Sequence, residues 1–244
     1  MDGSPAFVRV SISPVAYYQE AWHRVKGQYG LFFAVCLVGI LLGSVAPLGI
    51  LLGPMMCGIY LCFRRQSLGE PVTFDLLFKG FDHFAEAFIA ALLMMAASLV
   101  VMVPLIFAGI LVFFASVVGG AALQDSHPAF GLVGCAGMAV FFGLVMLVSA
   151  LISILFSFTF PLIMDRGLKG MDAVKLSFQA ARANLGGLIL LALANALVSF
   201  LGVLCCYVGA FLVLPLSLGT HWICYERVFG ILANPPDPAS GAAE

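Results

Sequence analysis

Charge is what this sequence has least of. Only 9% of its 244 residues are Asp, Glu, Lys or Arg, against about 25% in an ordinary soluble domain. Hydrophobic residues fill 63% of the chain, and mean hydropathy is +1.12. A water-soluble fold of this size could not hide that much apolar surface, so lipid is the solvent that fits. The net charge of −1 leaves no basic excess for a nucleic-acid partner. The seven cysteines form no CxxC pair and no Cys/His cluster at zinc-ligand spacing. Cys36, Cys57, Cys62, Cys135 and Cys224 lie inside apolar runs, where cysteine serves as a small hydrophobe. Also missing are a Ser/His/Asp constellation, HExxH, a phosphate-binding Gly-rich loop and a deaminase signature. The residues therefore point to no enzyme and call for no cofactor or metal.

Two further absences concern the membrane itself. Asp2, Arg9, Glu20, His23, Arg24 and Lys26 leave no uninterrupted apolar run near Met1, so the first membrane segment is expected to act as its own uncleaved insertion signal. The apolar blocks contain no Asp, Glu, Lys or Arg at depth, since Glu86 and Asp165 lie at segment ends. That argues against a proton-coupled pump with a buried carboxylate.

What is present is apolar sequence in four blocks: Leu31 to Phe63, Phe84 to Leu123, Phe130 to Met164, and Gly186 to Cys224. A span needs about 20 apolar residues. The first block turns at Gly43-Ser44-Val45-Ala46-Pro47, and the last divides between Gly202 and Gly209, near Cys205 and Cys206. Each middle block is either one long helix or a helix broken near Pro104 or Gly143. The expected fold is an all-α polytopic membrane bundle of about six transmembrane helices, or eight if both middle blocks break. Residues 1–14 form an N-terminal segment, 15–230 one helical domain and 231–244 a disordered tail rich in Pro, Ala and Asp.

Arg9, Arg24 and Lys26 precede the first block, and Arg64, Arg65 and Lys79 follow it. Arg166, Lys169, Lys175 and Arg182 separate the third block from the fourth, and Arg227 follows. With six helices all 11 basic residues fall on one side. The other side carries only Asp125 and His127, which lack partners for acid–base or metal chemistry. Basic residues stay in the cytoplasm, so both termini are expected there.

Two stretches share one pattern. Val15, Tyr18, Trp22, Val25 and Tyr29 are apolar at steps of 3, 4, 3, 4, and so are Met171, Val174, Phe178, Ala181 and Leu185. That spacing draws one stripe down a helix. A shift of 156 superposes them, placing Lys26 on Arg182, Gln28 on Asn184 and Gly30 on Gly186. Hairpins with a proline and a glycine four residues later follow, Pro54/Gly58 and Pro215/Gly219. Residues 15–65 and 171–227 thus read as parallel repeats of an interfacial amphipathic helix leading into a membrane hairpin. Ser13-Pro14 reads as the start of the first helix. A third interfacial helix is expected over Thr73 to Phe84, with Phe74, Leu77, Phe78 and Phe81 on one side and Asp75, Lys79 and Asp82 on the other. Arg24, Lys26, Arg64, Arg65, Lys175 and Arg182 are the candidate contacts to anionic lipid.

The run Gly53-Pro54-Met55-Met56-Cys57-Gly58-Ile59-Tyr60, then Phe74-Asp75-Leu76-Leu77-Phe78-Lys79-Gly80-Phe81, resembles a pattern of uncharacterised bacterial inner-membrane proteins. So does Pro161-Leu162-Ile163-Met164-Asp165-Arg166-Gly167, leading to Ala173 and Ser177. Both are similar to the membrane domain attached to some glycerophosphoryl diester phosphodiesterases. The likeness implies a bacterial inner-membrane location and a six-helix-like core. No phosphodiesterase catalytic domain is present here, so that activity does not carry over.

Asn195, Ser217, Thr220 and His221 supply the polar chemistry of the last hairpin. They would serve solute binding if they lined one cavity, and helix packing if they bond to one another. Gly39/Gly43 and Gly49/Gly53 have the small-xxx-small spacing of close helix contacts, within the chain or between copies. The expected role is a non-enzymatic scaffold, accessory subunit or lipid-organising protein whose partners are membrane lipids, another membrane protein or a second copy. A channel or transporter for a small solute is the alternative.

Overall fold

The computed structural model of the chain describes residues 7–45, 50–122, 129–204 and 208–230. Among them every regular element is helical. The order is α1 (Pro14–Val25), a 3-10 turn (Lys26–Gln28), α2 (Tyr29–Val45), α3 (Leu52–Ser67), a 3-10 segment (Phe74–His83), α4 (Phe84–Ala122), α5 (Ala129–Leu155), α6 (Thr159–Arg166), α7 (Gly170–Ala183), α8 (Leu185–Leu204) and α9 (Val208–Phe229). Four described stretches are long and apolar enough to cross a membrane: Pro14–Val45, Phe74–Ala115, Ala136–Arg166 and Leu185–Leu204. Of the six expected spans, α3 is short at 16 residues, and α9 carries Thr220, His221, Glu226 and Arg227 in its second half.

Neither Pro104 nor Gly143 breaks its helix: α4 continues for 39 residues through the proline, and α5 for 27 through the glycine. The second middle block is interrupted later, at residues 156–158 between α5 and α6. The chain outside the described residues includes Ala46 to Gly49, Asp125, His127, Cys205, Cys206 and the tail from residue 231.

Two compact units divide the chain. The first joins Met1–Ala91 to Ile154–Glu244 and contains the packed core. Its largest fully buried side chains include Trp222, Tyr17, Tyr225, Phe32 and Phe158. Trp222 and Tyr225 lie 5.2 Å apart between ring centres, Tyr225 and Phe229 4.9 Å, and Tyr60 and Trp222 6.1 Å. The end of α9 is thus the hub on which α1, α3 and α6 converge. Helix α6 stops at Gly167, whose φ of +60 suits a residue without a Cβ and whose N–H returns to the Ile163 carbonyl at 3.1 Å.

The expected third interfacial helix is a 3-10 segment. Leu76, Leu77 and Gly80 face inward, while Phe74, Phe78 and Phe81 are exposed together with Asp75, Lys79 and Asp82. Backbone proximity explains which face is inward: a Cβ on Gly80 would overlap the Pro54 carbonyl oxygen and lie 2.5 Å from the Gly58 nitrogen. Only the face with glycine can come that close to α3. Helix α1 begins at Pro14 as expected, with the Ser13 carbonyl accepting the Tyr17 N–H at 3.1 Å. The Ser13 hydroxyl makes no capping bond.

The second unit is Leu92–Ser153, the facing parts of α4 and α5. Gly109 admits the Phe141 ring, which a Cβ there would overlap. Val100, Val140 and Met146 are each exposed by more than 70% (74%, 73% and 75%). Side chains of that kind, contiguous along two helices, fit an acyl-chain environment rather than water.

Candidate functional site

The four polar residues of the last hairpin do come together. The Asn195 amide nitrogen donates to His221 Nε2 at 3.1 Å. Thr220, fully buried, donates to the Ser217 carbonyl at 2.7 Å and lies 3.4 Å from the Asn195 side-chain oxygen. That oxygen also accepts from the Tyr18 hydroxyl of α1. Ser217 takes part through its backbone carbonyl. Helices α1, α8 and α9 are therefore joined by polar groups that bond one another. Bonds of this kind contribute about 0.6 kcal/mol each in a membrane.

A larger polar constellation lies at the end of α9. Glu226 is fully buried and accepts from Arg24 Nη1 at 2.7 Å and from the Trp222 indole nitrogen at 2.7 Å. Arg24 also reaches Glu20 at 2.5 Å and the Ser67 hydroxyl at 2.9 Å. Arg227 meets Glu20 at 2.5 Å and lies over the Tyr17 ring, 4.5 Å from its centre. Arg64 pairs with Asp165 at 2.8 Å, and Asp165 accepts from the Tyr225 hydroxyl at 2.9 Å. This network ties α1, α3 and α6 to α9 through charge-assisted bonds. A buried carboxylate in such a setting needs every one of its donors.

The six candidate lipid contacts fall into two groups. Arg24, Arg64 and Arg65 are committed to carboxylates, Arg65 to Glu70 at 2.5 Å. Lys26, Lys175 and Arg182 are exposed. Lys26 lies 3.2 Å from His23 Nδ1, and Arg182 covers the Phe178 ring at 5.5 Å.

The apolar stripes on α1 and α7 are only partly buried against the rest of the chain. The buried positions are Tyr17, Ala21 and Val25 on α1 and Gly170, Ala173, Ser177, Ala180 and Ala181 on α7. Val15, Trp22, Met171 and Phe178 of the expected stripes are exposed by 68%, 48%, 51% and 38%. Small residues let the helix backbones approach their neighbours, and the large ones are left outside. Shifted by 156, buried positions fall on buried positions, and Trp22 and Lys26 fall on Phe178 and Arg182. The starts of α1, α2 and α3 likewise fall on those of α7, α8 and α9.

Three residues important to the structure were not singled out in sequence. Tyr18 belongs to an apolar stripe, Glu226 lies just beyond an apolar block, and Asn184 enters the pattern only as a repeat partner. The spacing Trp222/Glu226, one helical turn apart, is the signal that was available for Glu226. No group of three or more His, Cys, Asp or Glu side chains able to hold a metal occurs among the described residues. No family model, curated protein or solved structure matches the chain.

Proposed function

We propose that this chain is a non-enzymatic multi-pass protein of the bacterial inner membrane that organises anionic lipid around a small helical scaffold. In this reading α2, α3, α4, α5, α8 and α9 are the six spans, and both termini are cytoplasmic. Helices α1 and α7 are interfacial, and residues 15–65 and 171–227 are parallel duplicates. The observation that carries it is the surface left exposed on α7 and on α1 with the 3-10 turn that follows it: an aromatic side chain followed four residues later by a basic one, Trp22 with Lys26 and Phe178 with Arg182. That pair suits the boundary between headgroups and acyl chains. The coincidence of element starts and burial under the 156-residue shift supports the duplication. The closed hydrogen bonding among Tyr18, Asn195, Thr220 and His221 weighs against the channel or transporter alternative, because those groups already serve one another.

The test is the lipid that travels with the purified full-length protein. Wild type in mild detergent is expected to retain phosphatidylglycerol several-fold over phosphatidylcholine from a mixed membrane. Lys26→Gln/Lys175→Gln should lower that preference by about fivefold or more, since each surface cation contributes about 1 kcal/mol. Equal retention of the two lipids by wild type would end the reading.

A further inference from the structure

Four arginines of the packed unit are paired with carboxylates, and two others share one cleft without such a partner. Arg24, Arg64, Arg65 and Arg227 each have a carboxylate partner. Arg9 and Arg182 have none among the described residues, yet they line one open cleft of about 500 Å³ together with Phe178, Gln179 and Ala183. Among the described residues no acidic side chain lines that cleft. Two arginines at one open cleft make its local charge positive, which favours an anionic ligand there.

The position of Arg9 is built rather than incidental. Asn184, 6% exposed, holds the backbone on both sides of it: its side-chain oxygen accepts from the Val10 N–H at 3.0 Å, and its amide nitrogen donates to the Val8 carbonyl at 3.3 Å. The Val8 N–H donates in turn to the Val228 carbonyl at 2.8 Å. The same amide bonds the Ala180 carbonyl at 3.1 Å. One buried side chain thereby fixes the N-terminal segment to the end of α7, two residues from Arg182. Gly187 completes the seat, since a Cβ there would come within 2.8 Å of the Ile12 side chain.

We infer that the Arg9–Arg182 cleft binds the phosphate of an anionic phospholipid headgroup. Planar guanidinium groups match phosphate oxygens in two-bond geometry, and Gln179 adds an amide donor. The lipid source is favoured over free phosphate because Phe178 and Met171 are exposed on the same helix, 38% and 51%, where acyl chains would meet them. The inference rests on the lipid-organising reading above and gives it a specific site.

The experiment compares full-length wild type with Arg9→Gln/Arg182→Gln, each reconstituted with phosphatidylcholine, with phosphatidylglycerol, or with phosphatidylglycerol and then challenged with millimolar inorganic phosphate. Bound lipid is counted by native mass spectrometry, and folding is checked by helicity and monodispersity. Wild type is expected to hold phosphatidylglycerol at least tenfold more than the double variant, with phosphatidylcholine unaffected and inorganic phosphate unable to displace it. Arg182→Lys, which keeps the charge and loses the fork, should recover only part of the binding. If the double variant misfolds, Asn184→Leu serves as a second probe, because it removes the bonds to Val8 and Val10 without adding a charge, and all cations remain. It should weaken headgroup retention without abolishing it. Undiminished phosphatidylglycerol in the folded double variant would overturn the site while leaving the general lipid reading standing. Absence of any anionic preference in wild type would sink both. Displacement by inorganic phosphate would also overturn the proposal by making this a site for a soluble anion.

Discussion

Gly80→Ala and Gly58→Ala are each expected to leave little folded protein in detergent. On Gly58 a new Cβ would overlap the Leu77 carbonyl oxygen and lie 2.8 Å from its carbon. On Gly80 it would overlap the Pro54 carbonyl oxygen. These obstacles are main chain on both sides, so no rotamer change relieves them. Ordinary overpacking costs about 1–3 kcal/mol, and a backbone collision falls at or above the top of that range. Gly186→Ala provides the contrast. It sits exposed in α8 with nothing within 4 Å, and alanine favours helix over glycine by about 1 kcal/mol. It should be neutral or slightly stabilising. Thermal unfolding of the three variants by circular dichroism checks this ordering. A Gly80→Ala protein that melts with wild type would show that α3 and the 3-10 segment do not touch by backbone.

Removing the cation from the buried carboxylate should be nearly as damaging. Arg24→Met is expected to cost about 3–5 kcal/mol, because Glu226 then stays fully buried without its charge partner. Arg24→Met/Glu226→Met should cost less than the sum of its single substitutions, since an apolar pair leaves no stranded charge. Arg65→Met is the control: its pair with Glu70 is exposed on both sides, at 40% and 42%, and contributes about 0–1 kcal/mol. Denaturant titration in mixed micelles measures all four. A loss below about 1 kcal/mol for Arg24→Met would mean that Glu226 is not held as described.

The membrane class was legible from composition, and helix starts were legible wherever local chemistry is decisive. Ser13-Pro14 opens α1, and the 156-residue shift placed α7 and α8 opposite α1 and α2. What could not be read was which face of each helix turns inward. An apolar period marks a stripe, but in lipid a large apolar side chain is as well placed outside as inside. Packing is then decided by small residues, and so Ala173, Ser177 and Ala180 are buried while Phe178 and Met171 are not. The motif Gly53-Pro54 to Gly58 with Gly80 owes its form to the same rule, since its glycines are the points of backbone contact. Position outside the apolar blocks marks basic residues as headgroup contacts. Position does not reveal that Glu20, Glu226, Asp165 and Glu70 had already taken four of the arginines. The polar group of the last hairpin was legible in its members but not in its closure, because Tyr18 lies about 180 residues away in sequence.

The central claim is that the two interfacial helices α1 and α7 lie on the cytoplasmic face, with every basic residue on that side. Single cysteines at Lys26 and Lys175, probed with a membrane-impermeant maleimide, test it directly. Both positions are exposed; the native Cys36, Cys57, Cys62 and Cys224 are buried, and Cys135, Cys205 and Cys206 are replaced by serine in the background used. Lys26→Cys and Lys175→Cys should remain unlabelled in intact spheroplasts and react once the membrane is permeabilised. Labelling of either one from outside an intact membrane would contradict the account.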